Sequence, residues 1–204
     1  MDVEPLFPVF LKLGARRVVV VGAGPVAAGK AAGLVAVGAS VMVVAPDICD
    51  AMQELPVTIA RRGFRPSDLD GAWYVVAAAP AEVNRAVAAA AADRQIFVNA
   101  VDDPAPASAY AGSVVSRGPV TLAISTSGLA PAVAGLLREA LDDLLPADLE
   151  RWVDEAVRER VVWKRDGVPI EARRGRLLDR LNELYRSRTS AGSAALERVA
   201  GDRR

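Results

Sequence analysis

The 204-residue sequence contains no histidine and a single cysteine. Histidine is the side chain that most often serves as a general base near neutral pH and as a ligand of zinc. Its absence excludes a serine–histidine triad, a histidine-dependent dehydrogenase and a zinc site of the usual nitrogen and sulfur ligands. Any proton transfer must therefore use Asp, Glu, Tyr or Lys. The lone Cys49 excludes an internal disulfide and favours a reducing cytoplasm.

The sequence also lacks an excess of charge of either sign and a long hydrophobic run. Lys and Arg number 25, as do Asp and Glu, so the composition does not favour binding to nucleic acid or to a membrane surface. The alanine-rich runs are interrupted by charges, and none approaches the roughly 20 apolar residues that span a bilayer. Residues 1–13 lack the basic start and apolar stretch of a signal peptide. We expect a cytoplasmic protein with no nucleic-acid or membrane partner and no bound metal.

The most informative segment that is present covers residues 17–30, which read RVVVVGAGPVAAGK. Four consecutive valines predict a strand buried on both faces. Gly22 and Gly24 then allow a sharp turn, and the alanine-rich stretch from Pro25 predicts a helix. A strand that turns through glycines into a helix leaves unpaired N–H groups and the positive end of the helix dipole facing outward. This arrangement predicts a pyrophosphate site for a dinucleotide cofactor.

This dinucleotide motif departs from its usual form at two places. The third glycine position holds Ala27, which is small enough for close packing of helix and strand. The second strand, at residues 40–44, does not end in the acidic residue that usually binds the adenine ribose of NAD. Either Asp47 reaches back to the ribose, or backbone groups around Pro46 bind it. These residues alone do not decide between NAD and NADP.

Strands and helices alternate over the first half of the chain. The predicted strands cover residues 18–21, 41–44, 57–61, 73–78 and 96–101, with helices at 25–37 and 81–93. The strands are apolar runs and do not alternate strictly with polar residues, which is typical of strands covered on both faces. The pattern therefore predicts an α/β domain built on a Rossmann-like, doubly wound parallel sheet that ends near residue 110.

The pattern changes after residue 112. Two strands, at 113–116 and 120–126, flank Arg117-Gly118-Pro119 and predict a hairpin or a tight bend. A helix is predicted from Pro131 to residue 145, and charged helices follow at 149–164 and 171–185. Because one strand pair and one amphipathic helix cannot form an independent core, this middle segment is expected to pack against a second subunit.

A possible catalytic residue follows the fifth strand. Residues 97–104 read FVNAVDDP, and ligands of open parallel sheets bind outside the carboxyl ends of the strands. Asp102 is therefore predicted to lie at the mouth of the nucleotide crevice, where it can act as a base. The alternative is that Asp102 and Asp103 form an ordinary Asp-Pro turn.

Five segments in chain order carry a family resemblance. They read PLFP at residues 5–8, VVGAGPVAAGK at 20–30, NAVD at 99–102, GPVTLAISTSGLAP at 118–131 and LLREAL at 136–141. Together they resemble the precorrin-2 dehydrogenases, a family that includes the dehydrogenase and ferrochelatase module of siroheme synthases. The glycine turn is generic, whereas the later segments are much more specific to this family.

The resemblance implies a fold of three parts. These are an NAD-binding Rossmann-like domain at residues 1–112, a small α+β dimerisation segment at 113–146, and a helical domain with a flexible basic tail at 147–204. It also implies that a homodimer oxidises precorrin-2 to sirohydrochlorin with NAD, in the biosynthesis of siroheme. In some members Fe²⁺ insertion follows and gives siroheme. The residues alone do not show whether this chain inserts a metal.

The resemblance also implies roles for individual residues. The key aspartate of the family falls on Asp102, and Thr126 stands where the family has a serine that can lie close to the substrate. Arg117 and Arg138 are candidate substrate contacts, because precorrin-2 is a polycarboxylate. The predicted cofactor contacts are Gly22, Gly24, Pro25, Val26, Pro46, Asp47 and Asn99.

Two other classes of function stay open at this point. A module that senses NAD would need the glycine turn but not Asp102. A tetrapyrrole carrier without turnover would bind its ligand with no dependence on the nicotinamide cofactor.

Overall fold

A computed structural model of the chain describes residues 5–101, 105 and 107–183. Strands and helices alternate up to residue 100, as the sequence predicts. The strands are β1 (Arg17–Val21), β2 (Ser40–Ala45), β3 (Thr58–Arg61), β4 (Tyr74–Ala77) and β5 (Phe97–Ala100). The helices are α1 (Pro25–Ala36), α2 (Asp50–Gln53) and α3 (Ala81–Ala92), and one 3-10 turn covers Pro66–Leu69.

The five strands form one parallel sheet in the order β3-β2-β1-β4-β5. The chain moves outward from β1 to β3 and then returns to the other side of β1 to form β4 and β5. The strand order therefore reverses between β1 and β4. In open α/β sheets this reversal opens a crevice at the carboxyl ends of the strands, where ligands bind. The Rossmann-like α/β prediction is confirmed.

The four valines of β1 explain why this strand lies at the centre of the sheet. Val18 and Val20 pack with α1 in one core cluster, whereas Val19 and Val21 pack with α3 in a second cluster on the opposite face. All four valine side chains are at most 2% exposed. A strand covered by helices on both faces needs apolar residues at every position, so the uninterrupted valine run follows directly from the doubly wound architecture.

The remaining elements are β6 (Ser113–Arg117), β7 (Val120–Ile124), α4 (Pro131–Leu144), α5 (Leu149–Arg165) and a helix α6, described over residues 170–183. β6 and β7 pair antiparallel, as the predicted hairpin requires. The chain folds into two compact units. One comprises Met1–Gly112 and Ser125–Val133, and the other comprises Ser113–Ile124 and Ala134–Arg204. The predicted boundary at residue 146 stays a prediction, and the predicted basic tail lies outside the described residues.

The second unit contains a tight turn against α5 and an ion pair whose carboxylate is buried and whose arginine is half-exposed. Gly118, with φ of +54°, lies against Glu150 of α5, and a β-carbon at Gly118 would be 3.0 Å from the Cβ of Glu150. Glu155 is only 6% exposed and accepts a 2.8 Å hydrogen bond from Nη2 of Arg180 on α6. Throughout the part of the chain that the structure describes, no helix is both long enough and apolar enough to cross a membrane.

Candidate functional site

The turn after β1 is shaped by its neighbours on both sides. Gly22 has φ of +105°, and a β-carbon at this position would collide with the carbonyl group of Ala78. The N–H of Gly22 donates to the carbonyl of Val44 at the end of β2 (2.9 Å), and the N–H of Ala78 donates to the carbonyl of Val21 (2.8 Å). The ends of β1, β2 and β4 are thus locked together around a residue that must be glycine.

The N-terminus of α1 opens from this turn into free space. Gly24 precedes the helix with extended backbone, and no side chain hydrogen-bonds to its first turn. This turn, which lies wholly within the described residues, contains no acidic residue. Gly24, Pro25 and Val26 are exposed, and a β-carbon on Gly24 would meet nothing within 4 Å. The positive end of the helix dipole is therefore available to an anion.

The loop after β2 lies at the same carboxyl edge of the sheet, next to the glycine turn. Ala45, the last residue of β2, is followed by the exposed Pro46 and Asp47. The loop is held against the glycine turn, because the N–H of Cys49 donates to the carbonyl of Ala23 (3.1 Å). Asp47 is the first carboxylate after β2, and its position lies on the edge that carries the open helix terminus.

One residue that supports this edge is not predicted by the sequence. Asn84 on α3 is 3% exposed, and its Oδ1 accepts a 3.0 Å hydrogen bond from the N–H of Ala79. This bond fixes the loop after β4, in which the Ala78 carbonyl occupies the space that a β-carbon on Gly22 would need. One feature of the sequence could have indicated this role: Asn84 is a single uncharged polar residue within an alanine-rich helix, on the face of the helix that is buried. Asn84 therefore supports the glycine turn from a distance.

The end of β5 contributes to the same carboxyl edge on the other side of β1. Asn99 is 7% exposed, and its Nδ2 donates to the carbonyl of Ala109 (3.1 Å). Its Oδ1 is buried and has no hydrogen-bond partner among the described residues. The N–H of Val101 donates to the carbonyl of Ala77 (2.8 Å), which extends the parallel pairing past the end of β5. Asp102, the predicted base, lies outside the residues that the structure describes.

A family of known proteins matches this half of the chain. Residues 9–113 match the family whose description reads "Putative NAD(P)-binding". The chain belongs to this NAD(P)-binding family. The matched residues contain the glycine turn, the end of β2 and all of β5, which are the elements that form the carboxyl edge of the sheet.

Individual relatives agree with the predicted resemblance, which is confirmed. A siroheme synthase from Photorhabdus laumondii is 41% identical over 147 residues, which cover 70% of this chain and 31% of the relative. Siroheme synthase 1 of Aeromonas hydrophila is 37% identical over 181 residues, which cover 85% of this chain and 38% of the relative. The chain thus spans about a third of the length of the curated relatives it matches.

A solved structure shows the same fold. The protein titled "SirC, precorrin-2 dehydrogenase" superimposes with a TM-score of 0.64 at 24% sequence identity. The alignment covers 85% of this chain and 88% of that chain.

The NAD(P)-binding edge fits a dinucleotide on its own geometry. A pyrophosphate needs backbone N–H groups that it can approach closely, and the space beside Gly24 is open. The structure brings seven of the predicted site residues to this edge or directly beneath it: Gly22, Gly24, Pro25, Val26, Pro46, Asp47 and Asn99.

The three predicted substrate contacts have partners of their own. Nη2 of Arg117 donates to the backbone carbonyl of Asp142 (2.6 Å) and to its Oδ1 (3.0 Å). Nη2 of Arg138 donates to Oε1 of the adjacent Glu139 (3.1 Å). Oγ1 of Thr126 accepts from the N–H of Ala130 (3.2 Å). Arg117 and Arg138 belong to the second unit, and Thr126 is grouped with the NAD(P)-binding unit.

The fold shifts the pKa of two other titratable groups of the NAD(P)-binding unit, Tyr74 and Asp68. Burial raises the pKa of Tyr74, at the start of β4, to about 12, so its hydroxyl is a poor base at neutral pH. Both terminal nitrogens of Arg62 donate to the buried carboxylate of Asp68, at 2.8 and 2.6 Å. This hydrogen bonding to Arg62 lowers the pKa of Asp68 below its usual range. Arg62 is therefore occupied at the end of β3.

Proposed function

We propose that this protein oxidises precorrin-2 to sirohydrochlorin with NAD⁺, as one step of siroheme biosynthesis. The observation that carries the proposal is the open N-terminus of α1 beside Gly22, in a chain similar to siroheme synthases over at least 70% of its length. An anion site at the switch point of a parallel sheet is where a dinucleotide binds.

The cofactor would lie along the carboxyl edge of the sheet. Backbone N–H groups of Gly24 and Val26 are suited to the pyrophosphate, and the loop at Pro46 and Asp47 is suited to the adenine ribose. The carboxylate of Asp47 supports NAD over NADP, because it would repel a 2′-phosphate and can accept a hydrogen bond from a 2′-hydroxyl. Asn99 would lie beneath the nicotinamide end, since it is on β5, beyond the switch point.

The reaction removes one hydride and one proton from precorrin-2. NAD⁺, held by the glycine turn and the loop at Pro46 and Asp47, would supply the hydride acceptor. Asp102 accepts the proton and later releases it to water, so that two electrons and two hydrogens leave the substrate. A carboxylate suffices for this step, because the hydride needs only correct positioning against the cofactor. The absence of histidine is thus compatible with the chemistry.

The substrate is expected to engage basic residues through its carboxylates. Arg117 and Arg138 are half-buried, with side chains 29% and 38% exposed, and each pairs with a carboxylate that is itself exposed. Ion pairs that water reaches contribute only about 0–1 kcal/mol. A polycarboxylate can therefore exchange with Asp142 and Glu139 at small cost. The hydroxyl of Thr126 offers a further polar contact.

Three further expectations stay predictions. The protein is expected to be a homodimer, which is supported by exposed apolar side chains on α4 such as Leu136 (67%) and Leu144 (77%). Fe²⁺ is expected as a second substrate only if the chain also makes siroheme. A cytoplasmic location rests on the single cysteine.

The deciding experiment is an anaerobic assay with enzymatically generated precorrin-2 and NAD⁺, in which NADH and sirohydrochlorin are followed by absorbance. Wild type should turn over. Asp102→Ala should lose about 10²–10⁴-fold in rate while it still binds NAD⁺. Asp93→Ala, which removes an exposed aspartate at the end of α3, serves as the matched control and should behave as wild type. Addition of Fe²⁺ to the same assay tests for siroheme.

Either of two results would reject the proposal. Wild type that binds NAD⁺ but never oxidises precorrin-2 would favour the sensing module. Wild type that binds the tetrapyrrole without any effect of NAD⁺ would favour the carrier.

A further inference from the structure

Two adjacent arginines at the end of β3 have different partners. Both terminal nitrogens of Arg62 donate to the buried carboxylate of Asp68, at 2.8 and 2.6 Å. Arg61 is exposed, and its Nη2 donates to Oε1 of Gln53 on α2 over a long 3.4 Å. Among the residues that the structure describes, Arg61 forms no ion pair with a carboxylate. Its positive charge is therefore available to an anionic ligand.

The backbone places Arg61 beside the loop that is expected to bind the adenine ribose. Arg61 is in register with Ala45, the last residue of β2, and neighbouring strands lie about 4.8 Å apart. Pro46 and Asp47 follow directly after Ala45 and are exposed. The cation of Arg61 and the carboxylate of Asp47 thus belong to adjacent strand ends at the carboxyl edge of the sheet.

The side chain of Arg61 lies on the same face of the sheet as α1. Ile59, two residues earlier, packs against the core cluster that includes residues of α1, whereas Ala60 packs against the cluster on the opposite face. Because side chains alternate along a strand, Arg61 shares the face of Ile59. The bond from Arg61 to Gln53 agrees with this placement, because the buried Met52 puts α2 on the α1 face.

The adenine ribose of a dinucleotide at this edge would lie close to both charges. The 2′-hydroxyl of NAD can donate a hydrogen bond to the carboxylate of Asp47. The 2′-phosphate of NADP would be repelled by Asp47, whereas the guanidinium of Arg61 can pair with it through two parallel hydrogen bonds. Arg61 would leave Gln53 at little cost, because their hydrogen bond is long, exposed and made to an uncharged group.

We propose that Arg61 can bind the 2′-phosphate of NADP, and that Asp47 is the residue that keeps the site selective for NAD. The inference rests on the proposed function, because it needs a dinucleotide at this edge of the sheet. Opposite charges at the ends of β2 and β3 then determine the cofactor preference. Loss of the carboxylate shifts the site towards NADP, and loss of the guanidinium as well removes that shift.

The test measures the Kd of NAD⁺ and of NADP⁺, which differ only in the 2′-phosphate, by calorimetry without substrate. Asp47→Asn keeps the shape of the side chain and removes its charge. The ratio of NADP⁺ to NAD⁺ affinity should rise by about 10-fold in this variant, because the repulsion is gone and Arg61 pairs with the phosphate. Addition of Arg61→Gln should abolish most of that rise, whereas Arg61→Lys, which keeps the charge, should retain part of it.

Arg85→Gln, added to Asp47→Asn, is the matched control. Arg85 is exposed on α3, which packs against the opposite face of the sheet, and its replacement removes the same charge. The affinity ratio should stay as it is in Asp47→Asn alone. An equal loss in the Arg61 and Arg85 variants would overturn the inference, because the effect would then come from net charge. The inference would also fail if Asp47→Asn left the ratio unchanged or if Arg61→Gln did not lower it.

Failure of the proposed function would look different, because these Kd values do not depend on catalysis. Wild type that binds NAD⁺ but does not oxidise precorrin-2 would reject the reaction and leave the cofactor comparison intact. Wild type that oxidises precorrin-2, with an NADP⁺ affinity that Arg61→Gln leaves unchanged in Asp47→Asn, would reject the role of Arg61 alone. Wild type that binds neither dinucleotide would overturn both.

Discussion

The carbonyl group of Ala78 occupies the space that a β-carbon on Gly22 would need. Gly22 also has φ of +105°, which side chains rarely permit. The first constraint comes from the residue after β4, and the second comes from the turn after β1. The conformation of the glycine turn is therefore determined by both β1 and β4, and so is its ability to bind a ligand.

Replacement of Gly22 by alanine should destabilise the fold. The new methyl group must displace the Ala78 backbone and also adopt a strained φ, so we expect a loss of about 1–3 kcal/mol or more in the free energy of unfolding. Urea unfolding measures this loss. Gly29→Ala on α1 is the control, because its β-carbon meets nothing within 4 Å, and it should gain up to about 1 kcal/mol. Equal stability of the two variants would contradict this view of the turn.

Gly24→Ala should separate folding from cofactor binding. A β-carbon on Gly24 meets no protein atom within 4 Å and φ is −78°, so the variant should fold as wild type does. The methyl group would instead stand where the pyrophosphate approaches the backbone. Fluorescence titration should therefore show weaker NAD⁺ binding. Wild-type affinity in Gly24→Ala would mean that the dinucleotide lies elsewhere.

Asn84→Ala should weaken NAD⁺ binding indirectly, through the loop after β4. The change leaves the N–H of Ala79 without its buried acceptor, which costs about 1–3 kcal/mol. We expect lower thermal stability together with a higher Kd for NAD⁺, because the loop beside Gly22 loses its support. Asn182→Ala, at an exposed position on α6, is the comparison and should change neither quantity. A stable Asn84→Ala with weak NAD⁺ binding would instead indicate direct contact with the cofactor.

The ion pair of Arg62 and Asp68 should make stability depend on pH in the acid range. Because Arg62 lowers the pKa of Asp68 in the folded state, the ionised carboxylate stabilises the fold above the unfolded pKa. This stabilisation is lost as the pH falls through the folded pKa. The stability gap between wild type and Asp68→Asn should therefore be widest near neutrality, begin to narrow below about pH 4, and close only when the pH is below the lowered pKa of the folded state. Arg62→Leu should narrow the gap at neutral pH, where only the N–H of Arg65 (2.8 Å) would still bond to the carboxylate. A gap that persists at low pH in the wild-type background would contradict this assignment.

Leu136→Asp should interfere with self-association. Leu136 is 67% exposed, so a charge there should not disturb the folded chain itself. If α4 lies in a dimer interface, light scattering should give about twice the chain mass of 21.4 kDa for wild type and the single mass for the variant. Val37→Asp, at the similarly exposed end of α1 (57%), should stay dimeric. A monomeric wild type would remove the dimer from the proposal.

The strands of the sheet and the glycine turn can be predicted from the sequence because both depend mainly on residues that are adjacent along the chain. The valine run of β1 indicates a strand covered on both faces. Gly22 indicates the turn even though its contact with Ala78 cannot be seen in the sequence. The strand boundaries agree to within one or two residues for the same reason. β4, for example, is predicted at 73–78 and found at Tyr74–Ala77.

The supporting contacts could not be predicted, because they join residues that only the fold brings together. Asn84 acts on Ala79 across the start of a helix, and Ser108 reaches Val98 from ten residues away. In the sequence Arg117 resembles a free cation at the hairpin turn, yet its partner Asp142 lies 25 residues later on α4. Charge patterns show which residues can pair but not which do.

The open first turn of α1 also has a consequence for the folded chain as a whole. The helix lacks the side-chain acceptor that usually caps this end, so a bound pyrophosphate would serve as its missing cap. A ligand that binds only the folded state stabilises it by about 2.7 kcal/mol at a hundred times its Kd. The melting temperature should thus rise with dinucleotide concentration, which would link the lifetime of this protein to the size of the cofactor pool around it.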